Sequence, residues 1–200
     1  MLLGQSSSSI SSNISSRWIY HVFLSFRGED TRLDFTDYIY AALVRKGIIT
    51  FRDDKQLEKG DAIAFELFKA IERSLSAVIV LSKNYASSTW CLDELQKILE
   101  LKKVLGIEVF PVFYGVSPDD VLNQRDSFAA AFEKHERRYD GERVQIWRDS
   151  LEEVAGLPGW ESKNRDETEL IDNIVESVWK KLRPKMPSYE DGLVGIDSRV

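Results

Sequence analysis

The sequence has little cysteine, little histidine, no long apolar run and no surplus of basic charge, and each shortage removes a class of protein. Its one cysteine, Cys91, excludes an internal disulfide, so a reducing location, cytoplasmic or nuclear, is the default expectation. Its two histidines, His21 and His135, have no cysteine or histidine at metal-ligand spacing, so no metal site is read. No apolar stretch approaches the roughly 20 residues that a spanning helix needs, and no membrane partner is expected. A formal charge of −6 gives no basic footprint, which argues against a nucleic-acid partner. The dinucleotide fingerprint G-x-G-x-x-G is also absent.

What is present is the balance of a globular α/β protein: 200 residues, 43% hydrophobic and 30% charged. That length fits one domain with a core of useful size, plus tails. The opening MLLGQSSSSISSNISS (1–16) is serine-rich and nearly uncharged, so it has too little apolar surface to bury and is expected to be disordered. Its apolar start is too short for a secretory signal, and a chloroplast transit peptide would be richer in arginine. The far end, residues 184–200, holds prolines followed by aperiodic sequence, which reads as a linker leading out of a domain spanning 17–183. The chain is expected to be part of a longer protein.

Between the tails, β-rich runs alternate with helical patterns. IYHVFLSF (19–26), IITF (48–51), AVIVLS (77–82) and VFPVFY (109–114) are near-continuously hydrophobic and rich in β-branched and aromatic residues, as strands covered on both faces require. A fifth short strand is placed near LPGW (157–160). Helical periods fill 34–47, 63–74, 87–103, 127–138, 144–157 and 166–183. This order predicts a doubly wound, flavodoxin-like open parallel sheet, strand order 2-1-3-4-5, with helices on both faces. Ligands in such sheets sit beyond the carboxyl ends of the strands where the order reverses, here between the first and third strands. RGEDTR (27–32) and SKNYASSTWCLDEL (82–95) lie at that point.

SSTWCLDELQKILELKK (87–103) carries two adjacent acids on one helix. At 100° per residue, Cys91, Leu92, Leu95, Ile98 and Leu99 form the apolar arc, with Asp93 opposite it and Glu94 at its edge beside Trp90. Asp93 is expected to be solvated and Glu94 half-buried. For Glu94 two readings stand: a chemical carboxylate, or an acid complementing the helix dipole. RGEDTR likewise reads either as a pyrophosphate holder or as a self-neutralising turn and cap. The charged loop RDDKQLEKGD (52–61) is a solvated connection or a mobile lid. His135 is placed on an exposed helix, and Trp147, Trp160 and Trp179 are read as packing residues. A phosphorelay receiver has this fold class, but its phosphoacceptor aspartate would fall where this chain has Leu81, Ser82 and Lys83.

Three separated motifs in register resemble the Toll/interleukin-receptor (TIR) domain of plant intracellular immune receptors: YHVFLSFRGEDTRLDFTDYIYAALVRKGIITFRDD, AIERSLSAVIVLSKNYASSTWCLDELQKI and VFPVFYGVSPDDV. LVGIDSRV at the end is similar to the segment leading into the nucleotide-binding module of those receptors. The resemblance implies cleavage of NAD⁺ to nicotinamide and ADP-ribose products, with NAD⁺ as substrate and no cofactor. It implies Glu94 as the catalytic carboxylate and Trp90 as lining the nicotinamide side. Arg27, Gly28, Glu29, Asp30, Thr31 and Arg32 would wrap the substrate, and Glu58, Lys59 and Gly60 would close over it. It also implies self-association with other TIR domains through the first helix, where Asp37 and Tyr38 replace the family's usual Ser-His. His21 stands where the family usually has aspartate. The main alternative is a non-enzymatic adaptor that only binds other TIR domains; a third reading, nucleic-acid hydrolysis or cyclic-nucleotide synthesis in a filament, is disfavoured by the acidic charge.

Overall fold

The computed structural model describes residues 17–31, 33–52 and 61–186. Five strands form one parallel sheet: β1 (Tyr20–Phe26), β2 (Thr50–Arg52), β3 (Ser74–Leu81), β4 (Glu108–Phe113) and β5 (Trp160–Glu161). Their order is β2-β1-β3-β4-β5, as the alternating pattern predicts. The helices are α1 (Gly28–Thr31), α2 (Phe35–Arg45), α3 (Asp61–Glu72), α4 (Thr89–Leu105), α5 (Pro118–Leu122), α6 (Ser127–Glu136), α7 (Gly141–Ala155) and α8 (Glu167–Leu182). Single 3₁₀ turns occur at Tyr85–Ser87 and Arg183–Lys185.

The period-2 pleat of β3 divides the core into two layers. Ala77, Ile79 and Leu81 point to the face covered by α3, α4, α6 and α7, where Phe128, Phe132 and Trp147 are fully buried. Val78 and Val80 point to the other face, against Phe35, Ile39 and Leu43 of α2 and Leu170, Ile174 and Val178 of α8. All eight residues of β3 are buried; Ser74 and Ser76 donate their hydroxyls to the Ala70 and His21 carbonyls, and the run from Ala77 to Leu81 is wholly apolar. Each large apolar side chain so buried contributes about 1.5–3 kcal/mol relative to exposure.

The ends of α4 explain its register. The Ser88 hydroxyl caps it by accepting from the Cys91 backbone N–H at 3.3 Å, and Gly106 ends it in the left-handed conformation, φ 66°. Cys91, Leu92, Leu95, Ile98 and Leu99 are buried, as the helical period requires. His135 departs from expectation: it is only 6% exposed, its Nε2 donates to the Ala86 carbonyl at 2.8 Å, and its ring meets Phe132, Tyr139 and Trp147 edge-on or tilted. The charged residues beside it in sequence suggest exposure, whereas Trp147 of α7 and the Ala86 carbonyl of the 3₁₀ turn close over the ring. Trp147 is core, and Trp160 and Trp179 pack partly buried against the α2–α8 layer.

Candidate active site

β1 ends at Phe26 and β3 at Leu81, neighbours in the sheet whose chains leave in opposite directions. That reversal opens a crevice beyond the strand ends. Asp30 of α1 spans it. Its Oδ2 accepts from the Ser82 hydroxyl at 2.6 Å and the Asn84 backbone N–H at 3.0 Å, while Oδ1 accepts from the Asn84 amide at 3.2 Å and Arg27 Nη1 at 2.6 Å. Burial pushes the Asp30 carboxyl up, but the Ser82 and Asn84 hydrogen bonds and the Arg27 charge together hold it below its ordinary value. Arg27 also pairs with Glu29.

Gly28–Thr31 is therefore a one-turn helix whose acids Glu29 and Asp30 both pair with Arg27. Thr31 is 1% exposed, accepts from the Thr36 hydroxyl at 2.7 Å, and so faces inward. Gly28 opens the turn. Arg32, and Glu58, Lys59 and Gly60 of the charged loop, lie outside the described residues.

Glu94 lies deeper than its place on the helical wheel implied: it is 3% exposed, where half-burial was expected. The reason is β1. Ser25, the penultimate strand residue, is fully buried and donates its hydroxyl to Glu94 Oε2 at 2.8 Å. The Ser25 hydroxyl also lies 2.9 Å from the Tyr85 hydroxyl, which donates to the Cys91 carbonyl at 3.0 Å. Burial pushes the Tyr85 phenol well above its ordinary value, and the nearby Cys91 and Glu94 push the same way. Cys91 is itself buried, its Sγ 3.6 Å from the Phe26 carbonyl. Trp90 sits at the first turn of α4, half-buried against the α4-side core.

Sequence reasoning missed Ser25 and Tyr85. For Ser25 the available signal was a lone hydroxyl in the apolar stretch Val22–Phe26, one residue from the strand's carboxyl end.

Asp93, expected to be solvated, is also held. Trp147 Nε1 donates to its Oδ1 at 2.8 Å and Arg143 Nη2 to its Oδ2 at 2.8 Å. A groove of about 500 Å³ between α3 and α4 runs past Asp93, Lys69, Phe65 and Gln96, on the flank of α4 away from Glu94. On α2, Tyr38 is 62% exposed, and Asp37 pairs with Arg52 of β2, whose guanidinium lies 4.4 Å over the Tyr40 ring. The charge at Asp37 is thus already partnered within the chain.

The sheet order and a buried acid beside the β1–β3 reversal define a flavodoxin-like α/β domain with the Glu94 carboxylate buried at its crevice. The chain belongs to the TIR domain family, whose model matches residues 19–196. It is 52% identical over 194 residues to TMV resistance protein N of Nicotiana glutinosa, covering 95% of this chain and 17% of that protein. It is 51% identical over 196 residues to Disease resistance protein RPV1 of Vitis rotundifolia, covering 98% of this chain and 14% of that one. The chain thus spans less than a fifth of the length of these relatives.

Among solved structures, it matches the TIR domains of the activated Roq1 resistosome directly recognizing the pathogen effector XopQ. That match has a TM-score of 0.73 at 47% identity, over 80% of this chain and 99% of that one. The RPS4 and RRS1 TIR domain heterodimer matches with a TM-score of 0.51 at 25% identity, over 80% of this chain and 95% of that one.

Proposed function

We propose that this TIR domain cleaves NAD⁺ to nicotinamide and ADP-ribose-type products, that self-association activates it, and that it signals in plant immunity and cell death. The observation that carries the reading is Glu94: a single carboxylate, 3% exposed, fastened to β1 beside the crevice where this sheet topology binds ligands. Membership of the TIR family and likeness to TIR domains of a resistosome support the immune setting.

One carboxylate is chemically sufficient. Glycoside cleavage normally needs a second carboxyl group to protonate the leaving oxygen. Nicotinamide in NAD⁺ is already cationic and departs neutral, so no general acid is required. Glu94 then holds the ribose hydroxyls and stabilises the developing oxocarbenium ion, an attraction strengthened where water is excluded. Water captures the cation to give ADP-ribose, or another part of the substrate captures it to give a cyclic product. Trp90 lines the nicotinamide side, and the α1 turn, with Arg27, Gly28, Glu29 and Asp30, borders the rest of the substrate.

The test is nicotinamide release from NAD⁺ by concentrated purified domain, with Glu94→Ala as control. Release that depends on Glu94 supports the hydrolase. Its absence at every protein concentration favours the second reading, a non-enzymatic scaffold, for which the pairing of RPS4 and RRS1 TIR domains is the supporting observation.

A further inference from the structure

We propose that Ser25, backed by Tyr85, is a positioning residue that fixes the carboxylate of Glu94. This deepens the hydrolase reading and rests on it for the kinetic part of its test. The buried chain Glu94–Ser25–Tyr85–Cys91 holds three oxygen–oxygen contacts, of 2.8, 2.9 and 3.0 Å. Two hydroxyl protons serve them, because the Cys91 carbonyl and an ionised Glu94 only accept.

The Ser25 proton therefore goes to Oε2, the one charged acceptor, where a hydrogen bond is strongest. Tyr85 then shares its proton between the Ser25 oxygen and the Cys91 carbonyl. In this arrangement Ser25 cannot turn away from Glu94 without giving up its 2.8 Å charge-assisted hydrogen bond to the carboxylate.

Geometry adds a second constraint. Ser25 is on β1 and Tyr85 on the 3₁₀ turn after β3, the two strands that flank the crevice, while Cys91 and Glu94 are one turn apart on α4. The chain thus ties α4 to both walls of the crevice at the residue proposed to act there. A carboxylate that meets an oxocarbenium ion has to be aimed, and displacement of about 1 Å can lower a rate by about 10²-fold. Burial supplies the stiffness: Ser25 and Tyr85 are each 0% exposed.

The experiment has two arms. In the first, Ser25→Ala, Glu94→Ala and the double variant are unfolded in urea. If Ser25 holds Glu94, the double variant loses less of its unfolding midpoint than the two single losses added together; strict additivity overturns the proposal whatever the activity. In the second, NAD⁺ turnover is followed. Ser25→Ala should lower kcat about 10- to 100-fold with KM within about threefold, because the displaced group acts in the transition state rather than in binding.

Tyr85→Phe should lower kcat less, and Ser25→Thr, which keeps the hydroxyl, should recover most of it. A Ser25→Ala enzyme whose kcat stays within about twofold of the parent also overturns the proposal. If the parent itself releases no nicotinamide, the hydrolase reading alone fails, and the unfolding arm still decides whether Ser25 holds Glu94.

Discussion

The indole N–H of Trp147 donates to the Asp93 carboxylate at 2.8 Å, so the acid preceding Glu94 in sequence is fastened to α7, on the other side of its helix. Adjacent acids on a helix point about 100° apart. One reaches β1 and the crevice; the other reaches the core tryptophan. The pair therefore assigns chemistry to one acid and only a packing role to the other. Glu94→Ala should abolish nicotinamide release while leaving the circular dichroism of the native fold unchanged. Asp93→Ala strands the Trp147 N–H, whose residue is 0% exposed, and should lower unfolding free energy by about 1–3 kcal/mol while the folded fraction keeps its turnover. Asp93→Asn, which retains an acceptor oxygen, should lose less. Equal turnover in Glu94→Ala and the parent would remove Glu94 from the chemistry.

His21 gives a pH dependence with a definite sign. Its Nδ1 accepts from the Ile49 backbone N–H at 3.0 Å, and a protonated ring cannot accept there. Burial pushes its pKa below the ordinary 6.5. As pH falls, the unfolded chain takes the proton first, so stability from this group is full above about pH 6.5 and is lost as pH drops through the folded pKa. The melting temperature should therefore slope downward on the acid side of about pH 6.5. His21→Asp, which keeps an acceptor without titrating in that range, should flatten the slope. A slope unchanged in that variant assigns the loss to other groups.

How much was legible depended on whether a residue's role was set by its own neighbours in sequence. The near-continuous apolar runs of β1 and β3 and the 3.6-residue arc of α4 carry the sheet order and the buried face, because burial on both sides admits few polar residues, each needing a partner. The capped helix α5 was passed over, although Ser117, Pro118 and Asp120 spell a capping box with proline at its start. The Asp93–Trp147 and Ser25–Glu94 bonds join residues 54 and 69 positions apart, and no local pattern encodes such a partner. His135 is a further case: the Ala86 carbonyl that its ring bonds is 49 positions away, and Trp147 packs on it from α7.

Gly159 tests the packing of the edge strand. A Cβ built on it would lie 2.3 Å from the Pro111 carbonyl oxygen and 2.8 Å from Pro111 Cγ. Backbone cannot yield as a flexible side chain would, and β5 pairs with β4 one residue further on, at Trp160 and Val112. Gly159→Ala should push β5 off the sheet and lower stability by about 1–3 kcal/mol in urea unfolding, with little change in turnover per folded molecule. A neutral substitution would show that this edge moves freely.

Self-association is the property proposed to switch the domain on, and α2 supplies its test. Tyr38 is 62% exposed on that helix, whereas its neighbour Asp37 is already paired with Arg52, so the aromatic rather than the charge is the group available to a second copy. An exposed aromatic is the kind of side chain that dominates binding when it enters a partner's pocket, and a symmetric contact uses it twice. Specific activity on NAD⁺ should rise with protein concentration or with fusion to an oligomerising tag. Tyr38→Ala should blunt the rise with concentration, measured beside mass by light scattering, and should leave the tag-driven activity largely intact because the crevice is untouched. Turnover per molecule that stays flat from dilute monomer to tagged oligomer would show that the monomer is already competent, and the coupling between assembly and chemistry would then be wrong.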